Sequence, residues 1–227
     1  KEICKKFYEQ LFSSIVPVEA PDLSMPSFVP EVTRSEVEKA IRATNQNKAA
    51  AIDQIHAEEI RADGEILAKA LSARFPWYLN LGKILAEWKR SRTVLIPKKG
   101  NHEDIRNYRP ICLLSHVYKV FMRVIYNRIE SILDEKTGRE LAGFRKRFST
   151  IDHILALTQL IERCRDYWVP VCLLFVDFKK TFDLLKHNAI LQSLSDQGVD
   201  PVYIVNIKDP LSESNTEIIL FERPISI

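Results

Sequence analysis

The sequence predicts an α+β fold, a helical body carrying a few short strands, and three observations predict it. Six apolar residues, Val171-Cys172-Leu173-Leu174-Phe175-Val176, run unbroken into Asp177. A Val- and Leu-rich run of that length fits a strand buried on both faces. Residues 93–96 and 109–113 flank Pro97-Lys98-Lys99-Gly100-Asn101. That is turn chemistry, since Pro sets φ and Gly-Asn permits a reversal, so a hairpin with a basic tip is expected. Elsewhere apolar residues recur at helical spacing, as in Val117, Val120, Phe121, Val124, Ile125 and Ile129.

In chain order, residues 1–11 read as a helix with Ile3, Phe7, Leu11 and Phe12 on its apolar side. Residues 13–30 hold four prolines without a period and read as a linker. Thr33-x-x-Glu36 is a capping box that opens a helix with Val37, Ala40 and Ile41 inward. Helices are expected over 56–71 and 76–87, then the hairpin, then a helix capped by Ser115 and running to about 133. Its cations Lys119, Arg123 and Arg128 lie off the apolar stripe, facing nucleic acid or water. Ser149-x-x-Asp152 caps a further helix with the stripe Ile151, Ile154, Leu155, Thr158 and Ile161, stopped at Val169-Pro170. After the strand ending at Asp177, Asp183 caps a helix that buries Ile190, Leu191 and Leu194 and ends at Gly198. Residues 216–221 and 225–227 read as a strand, a break at Glu222-Arg223-Pro224, and the start of a second strand.

Composition narrows the function. With 227 residues, 46% hydrophobic and 28% charged, the chain can bury a good core. Six glycines, with no GxGxxG and no GxxxxGKS, exclude the glycine-rich phosphate loops. Cys4, Cys112, Cys164 and Cys172 lack CxxC spacing, which argues against zinc. No apolar stretch is long enough to cross a bilayer and the first residues lack a signal-peptide core, so an intracellular place, cytoplasmic or nuclear, is expected. Residues 87–128 hold ten Lys or Arg against three acids, a field suited to a phosphate-bearing partner or, equally, a solvated surface. A carboxylate closing an apolar strand needs a metal ion, a cation or exposure at the strand's end.

Four stretches in order carry a resemblance: Val94-Leu95-Ile96-Pro97-Lys98-Lys99-Gly100, Asn107-Tyr108-Arg109-Pro110-Ile111-Cys112-Leu113-Leu114-Ser115, Ala142-Gly143-Phe144-Arg145, and the run into Asp177 with Phe182 five residues on. From about residue 31 onward the chain resembles the reverse transcriptases of non-LTR, LINE-like retrotransposons, RTE-like elements among them. The resemblance implies a right-hand polymerase fold: residues 1–30 a helix and linker, 31–170 the helix-rich fingers and palm-supporting helices, and 171–227 a partial palm. It implies two Mg2+ ions, with Asp177 as the catalytic acid and Asp177 and Phe178 at the metal. It places Lys98, Arg109, Lys180, Thr181 and Phe182 around an incoming deoxynucleoside triphosphate, Phe182 excluding a 2′-hydroxyl. It sets Phe144, Arg145, Lys146 and Arg147 against the nucleic acid. Implied partners are an RNA template, a DNA primer, and the remaining palm and thumb from the same polyprotein or a second chain.

The chain also departs from the family. Where relatives carry Asn-Lys-Ala-Pro-Gly-x-Asp-Gly-Ile, this chain has Asn47-Lys48-Ala49-Ala50-Ala51-Ile52-Asp53-Gln54-Ile55, which points to a decayed copy. Lost glycines cost stability wherever φ is positive. No Asp-Asp pair occurs anywhere, and one carboxylate cannot hold two ions. The expectation is therefore a polymerase fragment, truncated before the Asp-Asp hairpin and inactive alone. Its incomplete palm is expected to leave an open strand edge and marginal stability. The alternative is a non-catalytic nucleic-acid-binding remnant. A nucleotide cyclase would need a glycine-rich turn that is absent, and accidental motifs in a structural protein would not fall in this order.

Overall fold

Local rules start most elements. Thr33 Oγ1 accepts from the Glu36 backbone N–H and the Glu36 carboxylate accepts from the Thr33 N–H, so both halves of the box are made. They open α2 (Arg34–Arg42), which buries Val37, Ala40 and Ile41. The computed structural model describes residues 2–12, 18–24, 29–138, 140–143, 145, 148–178, 181–212, 214–220 and 223–226. Ahead of α2 lies α1 (Glu2–Phe12). Its buried residues are Cys4 and Tyr8, an i, i+4 pair, whereas Ile3 is exposed, so the inward side is rotated from the expected one.

α3 (Ala57–Ala62) and α4 (Gly64–Leu81) follow, dividing at Asp63. α4 continues through Pro76, where a break between two helices is expected from the sequence. Proline there removes one intrahelical bond. Phe75 on one side of it and Tyr78 and Leu79 on the other are all buried, and that packing holds the helix together. Gly82, at φ 61°, ends α4, its N–H donating to the Tyr78 carbonyl. A 3₁₀ turn then buries Trp88.

The expected hairpin is present. β1 (Arg90–Pro97) pairs antiparallel with β2 (Tyr108–Leu113) around a tip tied by Lys98 N–H to the Asn107 carbonyl at 2.8 Å. Ser115 caps α5 (His116–Lys136), whose stripe Val120, Phe121, Val124, Ile125 and Ile129 is buried as expected. α6 (Thr150–Asp166) begins at its Ser149 cap. α7 (Thr181–Leu184), α8 (His187–Asp196) and α9 (Pro201–Leu211) follow. α8 ends near Gly198 at φ 77°. Asp183 lies inside α7, and Lys186 is the residue that precedes α8, so the expected cap at Asp183 is corrected. β3 (Asn215–Leu220) and β4 (Arg223–Ser226) complete a four-stranded sheet of order β2-β1-β3-β4. β1 and β3 run parallel, in register from Arg90 opposite Asn215 to Val94 opposite Ile219.

The main core joins α2, α4, α5 and α9. Phe75 and Phe121 meet edge to face at 5.1 Å, and Trp88 sits 5.2 Å from Tyr78 and 6.0 Å from Phe121. Burying each such ring contributes about 1.5–3 kcal/mol. Asn206 of α9, fully buried, donates to the Leu79 carbonyl at 3.1 Å, and Asp209 accepts from the Ile84 N–H at 2.8 Å while pairing with Lys89 at 2.9 Å. A smaller core sets Cys4 and Tyr8 of α1 against Ile218 of β3, with Leu95 beside them.

One expected strand is not a strand. Residues 169–178 have no regular secondary structure and make no ladder among the described residues. Leu174 is 88% exposed and Phe175 80%. The place beside β1, which a central strand would need, is taken by β3. α6 is likewise unburied along its whole length, Ile151, Ile154, Leu155 and Ile161 included. No helix of the described residues is long and apolar enough to cross a membrane.

Candidate active-site cleft

Three separate pieces of chain converge on an open cleft of about 740 Å³. α1 supplies Phe7, Gln10 and Leu11, the hairpin tip supplies Lys98 and Arg106, and the segment ahead of α7 supplies Asp177 and Phe178. Leu184 of α7 closes the rim.

Each polar wall residue has a local reason for its place. The tip is built on Gly100 at φ 126°, a value side-chain-bearing residues rarely adopt. The Asn107 side chain donates to the Asn101 carbonyl at 3.0 Å, and Tyr108 Oη donates to the His102 carbonyl at 2.9 Å, so the loop is braced from within. Asp104 accepts from the Arg106 N–H at 2.9 Å and takes Nε of the same residue at 3.0 and 3.1 Å. The Asp104 carboxylate beside it raises the Arg106 guanidinium above its ordinary value. Thr181 Oγ1, where α7 begins, donates to the Phe178 carbonyl at 3.2 Å. Asp177 itself is exposed.

The cleft thus gathers Asp177, Phe178 and Lys98, three of the residues that the sequence singles out. Arg109 is exposed on β2 opposite Ile96, one strand period from the Lys98–Asn107 bond, so Lys98 and Arg109 share a face of the hairpin. It is not among the residues lining the cleft. Thr181 hydrogen-bonds the carbonyl of Phe178, next to Asp177. Lys180, and the side chain of Phe182, lie outside the described residues, as do Phe144, Lys146 and Arg147.

Arg145 is turned inward. Its guanidinium pairs with Asp134 at 3.0 Å, donates to the Gly138 carbonyl at 2.7 Å and stacks on Phe148 at 4.0 Å. Arg128, off the apolar stripe in sequence, is also engaged: it pairs with Glu36 at 2.7 Å and donates to the Glu31 carbonyl. The hydrogen bond from Arg128 to the Glu36 carboxylate holds that group down at about 2. Sequence reasoning missed Phe7, Gln10, Leu11 and Leu184 as cleft residues, because only tertiary packing brings α1 and α7 together. Arg106 carried one signal, its membership of the basic stretch 87–128.

A metal site can be judged from the donors. Magnesium takes oxygen ligands and is commonly held by one or two carboxylates plus substrate phosphates. The Asp177 carboxylate and the Phe178 carbonyl are oxygen donors of that kind, but no group of three His, Cys, Asp or Glu suited to a metal occurs among the described residues. The donors fit one ion arriving with a triphosphate; a second ion finds no carboxylate of its own among the described cleft residues.

Residues 96–222 match the family described as reverse transcriptase (RNA-dependent DNA polymerase). The Pol polyprotein of the type-1 retrotransposable element R2 of Popillia japonica is 28% identical over 141 residues, covering 62% of this chain and 20% of that protein. A probable RNA-directed DNA polymerase from transposon BS of Drosophila melanogaster is 26% identical over 199 residues, 86% of this chain and 22% of the relative. The RNA-directed DNA polymerase of the Drosophila melanogaster mobile element jockey is 24% identical over 216 residues, 94% of this chain and 23% of the relative. The chain spans about a fifth of the length of these curated relatives. With its matched region running from the hairpin through the cleft to the last strands, the chain belongs to the reverse transcriptase family, among the proteins of non-LTR retrotransposons.

Proposed function

We propose that this chain supplies the nucleotide-facing part of an RNA-directed DNA polymerase centre in a right-hand fold. The observation that carries the proposal is the meeting of Asp177, Lys98 and Arg106 in one open cleft. An acid and two cations suit a triphosphate: the cations take its non-bridging oxygens, and the acid takes the ion that accompanies it. Arg106, oriented by Asp104, offers a planar fork to phosphate, and Lys98 a mobile point charge. Bound divalent ions would supply Lewis acidity at the phosphoryl group and lower the pKa of the primer hydroxyl. Asp177 and the Phe178 carbonyl are the groups that would hold one of them. The primer's 3′ hydroxyl gives up its proton to solvent, its oxygen bonds to the α-phosphorus, the α–β P–O bond breaks, and pyrophosphate leaves. RNA template, DNA primer and deoxynucleoside triphosphates are the partners this chemistry requires.

The test is RNA-templated primer extension by the full polypeptide that contains this chain. Asp177→Asn should lower incorporation by about 10²–10³-fold, the scale for removing one preorganised electrostatic group. Incorporation unchanged in that variant would sink the proposal. A second function, nucleic-acid binding without catalysis, is favoured by one observation: among the described residues, Asp177 is the single carboxylate lining the cleft. In that case template binding persists and no extension occurs even in the unsubstituted polypeptide.

A further inference from the structure

A second cleft, of about 710 Å³, lies between the end of α2, the loop at Lys48-Ala49, the edge strand β2 and the first turns of α5. It shares no lining residue with the Asp177 cleft. Its lining carries Lys48, Lys119 and Arg123 and no Asp or Glu. None of the three cations forms an ion pair among the described residues; Arg123 only leans on the Tyr126 ring, at 5.5 Å. Half-burial lowers Lys119 from its ordinary value, a loss of water that Cys112 and Asp53 offset only in part.

The floor of the cleft holds His116, 1% exposed, with neither Nδ1 nor Nε2 hydrogen-bonded. Burial pushes the ring below its ordinary value, with Lys119 acting the same way. The Ala49 backbone, Asp53 and Glu58 oppose this more weakly. Unpartnered polar nitrogens in a buried place are costly and call for a partner. The other walls are of a different kind. Ile111, Leu113 and Met122 are apolar. β2 is the outer strand of the sheet, so alternate backbone N–H and C=O groups face away from β1.

We infer that this cleft is a second anion site that takes a nucleoside phosphate: the phosphate between Lys119, Arg123, Lys48 and His116, and the base against Met122 and Ile111 with its polar edge toward the rim of β2. A bare phosphate would leave most of the volume unfilled, and ligand pockets of roughly 300–1,000 Å³ suit molecules of nucleotide size. The inference stands apart from the polymerase proposal, since it uses none of the Asp177 cleft. The nucleoside phosphate has two sources, a free mononucleotide or one unit of a single-stranded nucleic acid.

The experiment titrates the full chain with inorganic phosphate, adenosine 5′-monophosphate and a short single-stranded oligoribonucleotide, following the ring resonances of His116 by nitrogen-edited NMR. Adenosine monophosphate or the oligonucleotide should shift both ring nitrogens, and phosphate alone should do so more weakly. Lys119→Gln should weaken binding at least tenfold, while Lys98→Gln should leave it unchanged. A response to the mononucleotide identifies a free-nucleotide site. A response to the oligonucleotide alone, with a salt dependence of binding that falls by about one in slope in Lys119→Gln, identifies a strand contact. An unmoved His116 with all three ligands, or binding lost in Lys98→Gln and kept in Lys119→Gln, overturns the inference. Should Lys119→Gln fail to fold, the unsubstituted chain's His116 signals still decide it.

Discussion

At the scale of single residues, backbone strain is easiest to read at Gln54. It stands where relatives of this family carry glycine and adopts φ 57°, whereas Ala50 and Ala51, the other two departures, do not take positive φ. A non-glycine residue there costs about 1–2 kcal/mol, partly offset by glycine's larger unfolded-state entropy. Gln54→Gly should therefore raise unfolding stability by about 0.5–1 kcal/mol in a urea titration; a decrease would show that the side chain contributes something the geometry hides. Glu36 gives a prediction in pH. Its folded value, about 2, lies below the ordinary 4.5 because Arg128 donates to its carboxylate. The unfolded chain then binds the extra proton, so this stabilisation is complete above 4.5 and is lost as pH falls toward 2. Glu36→Gln should flatten the stability profile across that window, and Arg128→Ala should cost about 1.5–3 kcal/mol at neutral pH. Caps such as Thr33 and Ser115 were legible in the sequence because donor and acceptor lie within three positions. Arg128 was not, because its partner Glu36 lies 92 positions away. Arg145 was not either, since a guanidinium at a loop reads the same whether it faces phosphate or its own carbonyls.

At the scale of elements, α5 and α6 make an instructive pair. Both were legible as helices from apolar spacing and a serine cap, and both form. Periodicity reports which face a helix would bury, not whether anything stands opposite. α5 buries its stripe and α6 does not. Phe121→Ala should accordingly cost about 3–5 kcal/mol by chemical denaturation. Leu155→Lys on α6 should stay within about 0.5 kcal/mol in the isolated chain; a large loss would mean that α6 packs on something in solution. The same logic explains residues 171–176. Composition marks them as strand material, but the places on both sides of β1 are taken, by β2 and by β3. Pro76 misled in the opposite direction, since packing of Phe75, Tyr78 and Leu79 outweighs the lost backbone bond.

At the scale of the whole molecule, the mixed helix-and-sheet class and the order of the helices before the hairpin were legible, whereas α9 and the joining of β1 to β3 were not. Those features rest on contacts between distant parts of the sequence. Asp209 on α9 ties the Ile84 backbone and Lys89 ahead of β1, with both charges largely buried. Removing one partner of such a pair leaves a stranded charge, so Asp209→Ala should cost about 3–5 kcal/mol in a denaturant titration. The parallel pairing of β1 with β3 has a consequence for synthesis. Ser91 and Asn215 lie 124 positions apart. A ribosome adding about 5–20 residues per second needs roughly 6–25 s to cover that gap. Throughout that interval the nascent hairpin presents a bare edge, open to holdase chaperones or to neighbouring nascent chains. In a series of stalled ribosomes, protease resistance of the hairpin should appear only once β3 has left the exit tunnel; resistance before that point would show that β1 finds another cover first.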